Sequence, residues 1–132
     1  MTEKTVMDAL VQMKRTGNLL NELEDLTQQL GDSIDRNDQV STAMIIAMRE
    51  EPLAKLQAAD QAMREQLEAL ADREEAKQLA DMLNGGPPED AANQMQQMLV
   101  NQVAANNRRL KLVQELDRML NQRLARGESA YQ

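Results

Sequence analysis

Hydrophobic residues recur every three or four positions along most of this chain, which is the spacing of one face of an α-helix. The first such stripe predicts a helix over residues 3–30, capped by Thr2 or Thr5. Its apolar positions are Val6, Leu10, Met13, Leu20, Leu23, Leu26 and Leu30. Gly17 interrupts the stripe where a large side chain is expected, although a glycine costs about 1 kcal/mol inside a helix. We therefore interpret Gly17 as a sign that a second helix approaches closely.

The segment over residues 31–37 allows two interpretations. Gly31 can end the first helix in a left-handed conformation, and Asp38 can then cap a second helix over residues 38–50. The alternative is one continuous helix, because Ile34 still falls on the apolar stripe. The concentration of helix-ending residues in this segment favours a break.

Pro52 predicts either a kink or the start of a third helix, because proline is tolerated in the first turn of a helix but not in its interior. Glu50 and Glu51 precede it, and carboxylates are favourable at the positive end of a helix dipole. The apolar stripe then continues without a clear stop, so this helix is predicted over residues 52–83.

Two glycines and two prolines at residues 85–88 form the clearest boundary in the sequence. A last helix is predicted over residues 89–126, with Gly127 as its end and residues 127–132 as a tail. Because the connection is short, residues 52–83 and 89–126 are expected to be antiparallel neighbours. The predicted fold is all-α: a single domain built on this long antiparallel hairpin, with an additional N-terminal helix in an elongated three- to four-helix bundle.

Composition supports the helical prediction and narrows the function. The 132 residues carry a net charge of −7, and Tyr131 is the only aromatic residue. Without His or Cys the chain lacks the ligands of zinc fingers, haem and iron–sulfur clusters and has no Cys or His nucleophile. An acidic chain with so few aromatic rings is not typical of a nucleic-acid-binding protein. We predict a binding protein with no metal and no cofactor, not an enzyme.

Two features suggest surfaces for binding. Met44, Ile45, Ile46 and Met48 surround more than one face of their helix, which indicates either a central crossing segment or an exposed apolar patch. The sign of the net charge changes along the chain. Residues 101–132 carry six basic and three acidic side chains, whereas residues 1–100 carry nine basic and nineteen acidic ones. This reversal is explained either by pairing with the acidic earlier helices or by an acidic partner helix.

The pattern resembles the FlgN-type family of flagellar type III export chaperones. The resemblance rests on four stretches: residues 19–30, residues 34–38 at the start of a second helix, Arg49 before Leu53 and Leu56, and the long C-terminal helix with Asn106 and Asn107 before its leucines. Such a chaperone binds flagellar hook–filament junction (hook-associated) proteins in the cytoplasm before type III secretion and passes them to the export apparatus.

The resemblance implies where this chain would bind its partners. The client-binding residues would be Leu110, Val113, Leu116, Leu120 and Leu124, and Tyr131 would engage the export gate. A cytoplasmic location agrees with the absence of a signal peptide pattern and of an apolar run of about 18 residues. The alternative function is a structural or adaptor coiled coil that acts by self-association, and a homodimer is compatible with either function.

Overall fold

The structure is a computed structural model that describes residues 1–87 and 91–130, with side chains up to residue 126. These residues form five α-helices and no strand, so the prediction of an all-α helical bundle is confirmed. The helices are α1 (Glu3–Asp35), α2 (Gln39–Met48), α3 (Glu50–Ala69), α4 (Arg73–Leu83) and α5 (Gln94–Ala130).

The boundary between α1 and α2 lies later than predicted. Helix α1 begins after Thr2, whose Oγ1 accepts a hydrogen bond from the Thr5 N–H at 3.2 Å. It continues past Gly31 to Asp35, so the predicted end at residue 30 is wrong. The left-handed residue that ends it is Asn37, with φ 56°. The predicted cap of the second helix is confirmed, because Asp38 Oδ1 accepts the Ser41 N–H at 3.0 Å.

Helices α2 and α3 form one bent rod interrupted only at Arg49. Helix α3 begins at Glu50, which places the buried Pro52 in its first turn. The nitrogen of a residue there has no partner within the helix, so the missing N–H of proline costs little. The predicted new start near Pro52 is therefore confirmed.

The predicted single helix over residues 52–83 is wrong, because the chain leaves helical geometry at residues 70–72. Leu70 is extended, with φ −68° and ψ 122°. Asp72 Oδ1 then accepts the N–H groups of Glu74 and Glu75 at 3.0 and 3.3 Å and starts α4. This cap satisfies donors that an unbroken helix would have bonded internally.

The last helix is shifted along the chain relative to the prediction. Helix α5 begins at Gln94, after the non-helical residues 91–93, and the Asn93 side chain accepts the Gln96 N–H at 2.9 Å. It continues through Gly127 to Ala130, so the predicted end at Gly127 is wrong. A single glycine costs a helix only about 1 kcal/mol, which the neighbouring residues can offset. The predicted start at Glu89 and Asp90 lies outside the described residues.

The pairing of helices differs from the predicted hairpin. The most extensive contact joins α5 to α1, and α3 also packs on α1, whereas the main contact of residues 52–83 with α5 is made by α4. Helices α1 and α5 run parallel, since Glu24 pairs with Arg109 near their middles and Asp35 with Arg123 near their ends. Helices α2 and α3 run antiparallel to α1. The break at residues 70–72 turns the chain, so that α1, not α3, becomes the long neighbour of α5.

The core consists of two clusters along α1. The larger joins α1, α3, α4 and α5 through Val6, Ala9, Leu10, Met63, Leu79, Met82, Leu99, Val100 and Val103. The smaller joins α1, α2 and α5 through Leu26, Leu30, Ile45 and Leu120. Burial of these side chains is the main favourable contribution to folding.

Between the two clusters, α1 and α5 approach closely at Gly17, as predicted. A Cβ atom there would lie 2.7 Å from Gln102 Nε2 and 2.8 Å from Asn106 Oδ1. Asn106 Nδ2 donates to the Met13 carbonyl oxygen at 2.8 Å, and Gln102 Nε2 donates to Asn106 Oδ1 at 2.9 Å. A buried polar contact of this kind favours one register of two helices over the others.

We expect Gly17→Leu to lower the free energy of unfolding by about 2–3 kcal/mol, because a large side chain must separate α1 from α5 or displace the buried Asn106 amide. Urea denaturation followed by circular dichroism measures this. Gly31→Ala controls for the replacement of a glycine inside α1 and should not lower the stability, since its Cβ would lie 3.4 Å from Leu120 Cδ2, an ordinary contact distance. Equal stability of Gly17→Leu and the native chain would contradict the close approach.

Candidate protein-binding surfaces

The five predicted client-binding residues do not form one open stripe on α5. Val113 and Leu120 are buried, Leu116 and Leu124 are half-buried, and Leu110 is exposed. Leu120 is buried because it packs in the smaller core cluster between α1 and α2. In this conformation, a partner could reach Leu110, Leu116 and Leu124 but not Val113 or Leu120.

A second row of apolar residues on α5 faces outward. Leu112 is 46 % exposed, Met119 is also exposed, and the half-buried Leu116 lies between them. Their spacing of four and three residues places them on one side of the helix. We call Leu112, Leu116 and Met119 the α5 surface. Leu112 and Met119 lie outside the predicted stripe of α5, so the helical spacing of that stripe did not identify them.

Charged groups beside the α5 surface are exposed and include an internal pair. Arg118 donates hydrogen bonds to the Glu115 carboxylate, which hold the pKa of Glu115 below its usual value. Arg108, one turn before Leu112, and Lys111 add positive charge to this part of α5. A partner helix with acidic residues beside its apolar face would therefore be favoured here.

Pairing with α1 accounts for part of the positive charge of α5. Arg109 Nε lies 2.9 Å from Glu24 Oε2, and Arg123 Nη1 lies 3.0 Å from Asp35 Oδ1. The interpretation of intramolecular pairing therefore applies to these two arginines. The Arg123–Asp35 pair is exposed and contributes little to stability, whereas Glu24 is half-buried beside Arg109.

Helix α2 presents most of its apolar side chains to solvent. Ile45 is its only buried residue, whereas Val40 is 73 % exposed and Met44 60 % exposed. Met48 and Ile46 are exposed as well. Of the two interpretations of this segment, the exposed apolar patch is correct, because α2 packs on the bundle through one side only. We call Val40, Met44 and Met48, which are spaced by four residues, the α2 surface.

A shallow groove of about 290 Å³ runs between the α2 surface and α1. Its walls are formed by Gln29, Asp32, Arg36, Ser41, Met44, Ile45 and Met48. On α3, Lys55 Nζ lies 2.8 Å from Glu51 Oε1. The hydrogen bond and the charge of each partner lower the pKa of Glu51 and raise the pKa of Lys55, so both groups are charged at neutral pH. The groove is lined by apolar side chains of α2 and by polar and charged groups at the end of α1, where Asp32 and Arg36 both contribute.

An ion pair fixes the bend between α2 and α3 against α5. Arg49 Nη2 donates to both carboxylate oxygens of Asp117, at 2.6 and 2.7 Å. The Arg49 side chain is 13 % exposed, and its Nε is buried without a hydrogen-bond partner among the described residues. Arg49, which the resemblance singled out, is here a residue that holds three helices together.

Tyr131, the predicted export-gate residue, lies outside the described residues. Among the residues that the structure describes, no cluster of acidic side chains is arranged to hold a metal ion. No helix within residues 1–87 and 91–130 is long and apolar enough to cross a membrane. In comparisons with models of protein families, with curated proteins and with solved structures, nothing matches this chain.

Proposed function

We propose that this protein is a chaperone that holds an amphipathic helical segment of a client on the α5 surface. The observation that carries the proposal is the row of Leu112, Leu116 and Met119 along one outward side of a 37-residue helix. A client helix with apolar residues at the same spacing can lay that face along such a row. The flexible thioether of Met119 can adapt to different client side chains.

By the resemblance to the FlgN-type family, the client would be a flagellar hook–filament junction protein held in the cytoplasm before type III secretion. Leu110 and Leu124 would extend the contact along α5. Val113 and Leu120 could take part only if α5 moved away from α1. Tyr131 would engage the export apparatus.

A small apolar interface suits a carrier that must release its client. Three exposed or half-buried side chains cover little area, and the net affinity of such a contact remains modest after the cost of association. The acidic chain as a whole would remain well hydrated while the client's apolar face is covered.

The α5 surface is tested by adding charge to it. We expect Leu112→Asp combined with Met119→Asp to weaken binding of a purified hook–filament junction protein at least tenfold, because two carboxylates would face the client's apolar side chains. Fluorescence anisotropy with the labelled junction protein measures the dissociation constant. Native stability of the variant is checked by thermal unfolding.

The matched control is Gln114→Asp with Gln122→Asp, which adds the same charge to exposed positions on α5 outside the apolar row. It should bind as the native chain does. No binding by the native chain would overturn the choice of client, and equal binding by both double variants would overturn the α5 surface. A stable oligomer that only Leu112→Asp with Met119→Asp dissociates would favour the adaptor alternative instead.

A further inference from the structure

A polar pocket of about 350 Å³ opens between α1 and α5, beside the α5 surface. Arg108 lines it together with three carboxamide side chains, those of Asn18, Asn21 and Gln102, and we call it the amide pocket. Leu112, the first residue of the α5 surface, forms part of its wall. Since a water molecule in the liquid takes about 30 Å³, the pocket has room for a polar side chain of a partner and several waters. A partner on the α5 surface can therefore reach the amide pocket.

The inner wall of the amide pocket is formed where α1 and α5 approach at Gly17. A Cβ atom at that position would already lie 2.7 Å from Gln102 Nε2, so the glycine keeps this wall free of a side chain. Asn106 is buried here, and its Nδ2 donates to a backbone carbonyl of α1 at 2.8 Å. The amides of Asn18 and Asn21 are exposed instead. The inner amide thus holds the two helices together, and the outer ones are within reach of a partner.

The side chains that line the amide pocket carry one more positive than negative charge. Arg109 Nε lies 2.9 Å from Glu24 Oε2, so these two charges offset each other. Arg108 makes no ion pair with any residue that the structure describes, whereas three other arginines of α5 are each paired with a carboxylate. The charged residues of α1 on either side of the pocket are two basic and two acidic ones, Lys14, Arg15, Glu22 and Asp25. They add no net charge, so Arg108 gives the pocket its sign.

We propose that the amide pocket binds an aspartate or glutamate side chain of the client, an inference that rests on the proposed function. A carboxylate only accepts hydrogen bonds, and the pocket offers the N–H groups of the Arg108 guanidinium and of the Asn18 and Asn21 amides. Hydrogen bonds between a guanidinium and a carboxylate are stronger than those between neutral groups. A lysine or arginine of the client would meet Arg108 as a like charge. The pocket therefore selects among amphipathic helices that the apolar row alone would not distinguish.

The position of the pocket fixes where the client carries this carboxylate. Arg108 precedes Leu112 by four residues, which is about 6 Å along α5. A client helix that covers Leu112, Leu116 and Met119 reaches the pocket when it continues by one turn. The acidic residue of the client thus lies three or four positions from the end of its apolar row, on the same side of its helix.

Removal of the Arg108 charge tests the pocket. We expect Arg108→Gln to weaken binding of the labelled hook–filament junction protein about tenfold, because the client's carboxylate loses its charged donor. Lys111→Gln is the matched control, since Lys111 is an exposed cation one turn further along α5 that does not line the pocket. It removes the same charge and should weaken binding by less than about twofold. Fluorescence anisotropy measures both dissociation constants, and thermal unfolding checks that each variant remains folded.

A carboxylate placed in the pocket is the complementary test. Asn21→Asp keeps the shape of the side chain and should weaken binding at least tenfold, because the new carboxylate takes the Arg108 guanidinium and repels that of the client. Asn107→Asp is the matched control, since Asn107 is exposed on α5 and does not line the pocket. It should bind as the native chain does.

The outcomes separate the pocket from the proposed function. Weaker binding by Arg108→Gln and Asn21→Asp than by their controls supports the amide pocket. If the native chain binds the junction protein and each pocket variant binds it as its control does, the pocket is overturned and the proposed function stands. Absence of binding by the native chain overturns both.

Discussion

Replacement of Leu120 by Asp is expected to lower the free energy of unfolding by about 4 kcal/mol or more. Leu120 is buried in the smaller core cluster, against Leu26, Leu30 and Ile45. An aspartate there loses the apolar contact and brings a carboxylate among the apolar side chains of this cluster. Domains of this size have a stability of about 5–15 kcal/mol, so a large part would be lost. Urea denaturation measures the change.

The control is Leu112→Asp, which introduces the same side chain on the same helix at an exposed position. Its effect on stability should stay within about 0.5 kcal/mol. If Leu120→Asp changed the stability as little as Leu112→Asp, α5 would not pack on α1 and α2 as described. The five predicted client-binding residues would then be exposed together. The comparison also shows why Leu120→Asp cannot test client binding: it removes the folded surface itself.

The local features that follow from one or two residues were predictable. Asp38 caps α2 because its side chain reaches the Ser41 N–H, and Pro52 lies in a first turn because only there does its ring fit a helix. Gly17 likewise allowed a correct prediction from a single residue. A glycine retained inside a helix indicates a contact that a side chain would block, and Gln102 and Asn106 occupy that space.

The pairing of helices was not predictable in the same way, because it depends on competition between apolar faces. The stripe over residues 52–83 is continuous in sequence, yet the chain breaks at residues 70–72, where the Asp72 cap outweighs the periodic pattern. Helix α1 has apolar side chains wide enough in angle to accept both α3 and α5. Which helix takes which side is decided by the whole set of contacts and cannot be obtained from the spacing of one stripe.

The exposure of the candidate surfaces could not be predicted from helical spacing alone either. Apolar residues at helical spacing are expected to be buried, which holds for Val113 and fails for Leu112 on the same helix. Whether such a residue is buried depends on how many helices pack on α5, which the spacing of its own apolar residues does not show. In α2 the sequence carried a clearer signal, because Met44, Ile46 and Met48 point in too many directions for one neighbouring helix to cover.

Loss of the carboxylate at Asp117 is the second change with a large expected effect. We expect Asp117→Ala to lower the free energy of unfolding by about 2–3 kcal/mol, because it leaves the buried Arg49 charge without its partner. This loss of stability is at or below the lower end of the losses seen when a fully buried ion pair is broken, since the Asp117 side chain is 35 % exposed. Arg49 has no other acceptor ready to replace it, as its Nε already lacks a partner among the described residues.

Arg49→Met should be milder than Asp117→Ala, at about 1 kcal/mol, because water can solvate the partly exposed Asp117 carboxylate whereas it cannot reach the guanidinium as easily. The double variant Arg49→Met with Asp117→Leu should lie within about 1 kcal/mol of the native chain, since the desolvation of two charges is removed together with their attraction. Urea denaturation of the native chain, the Arg49→Met and Asp117→Leu single variants and this double variant forms a double-mutant cycle. A double variant that is less stable than Asp117→Ala would show that the ion pair itself, and not the cost of an unpaired charge, holds the bend between α2 and α3 on α5.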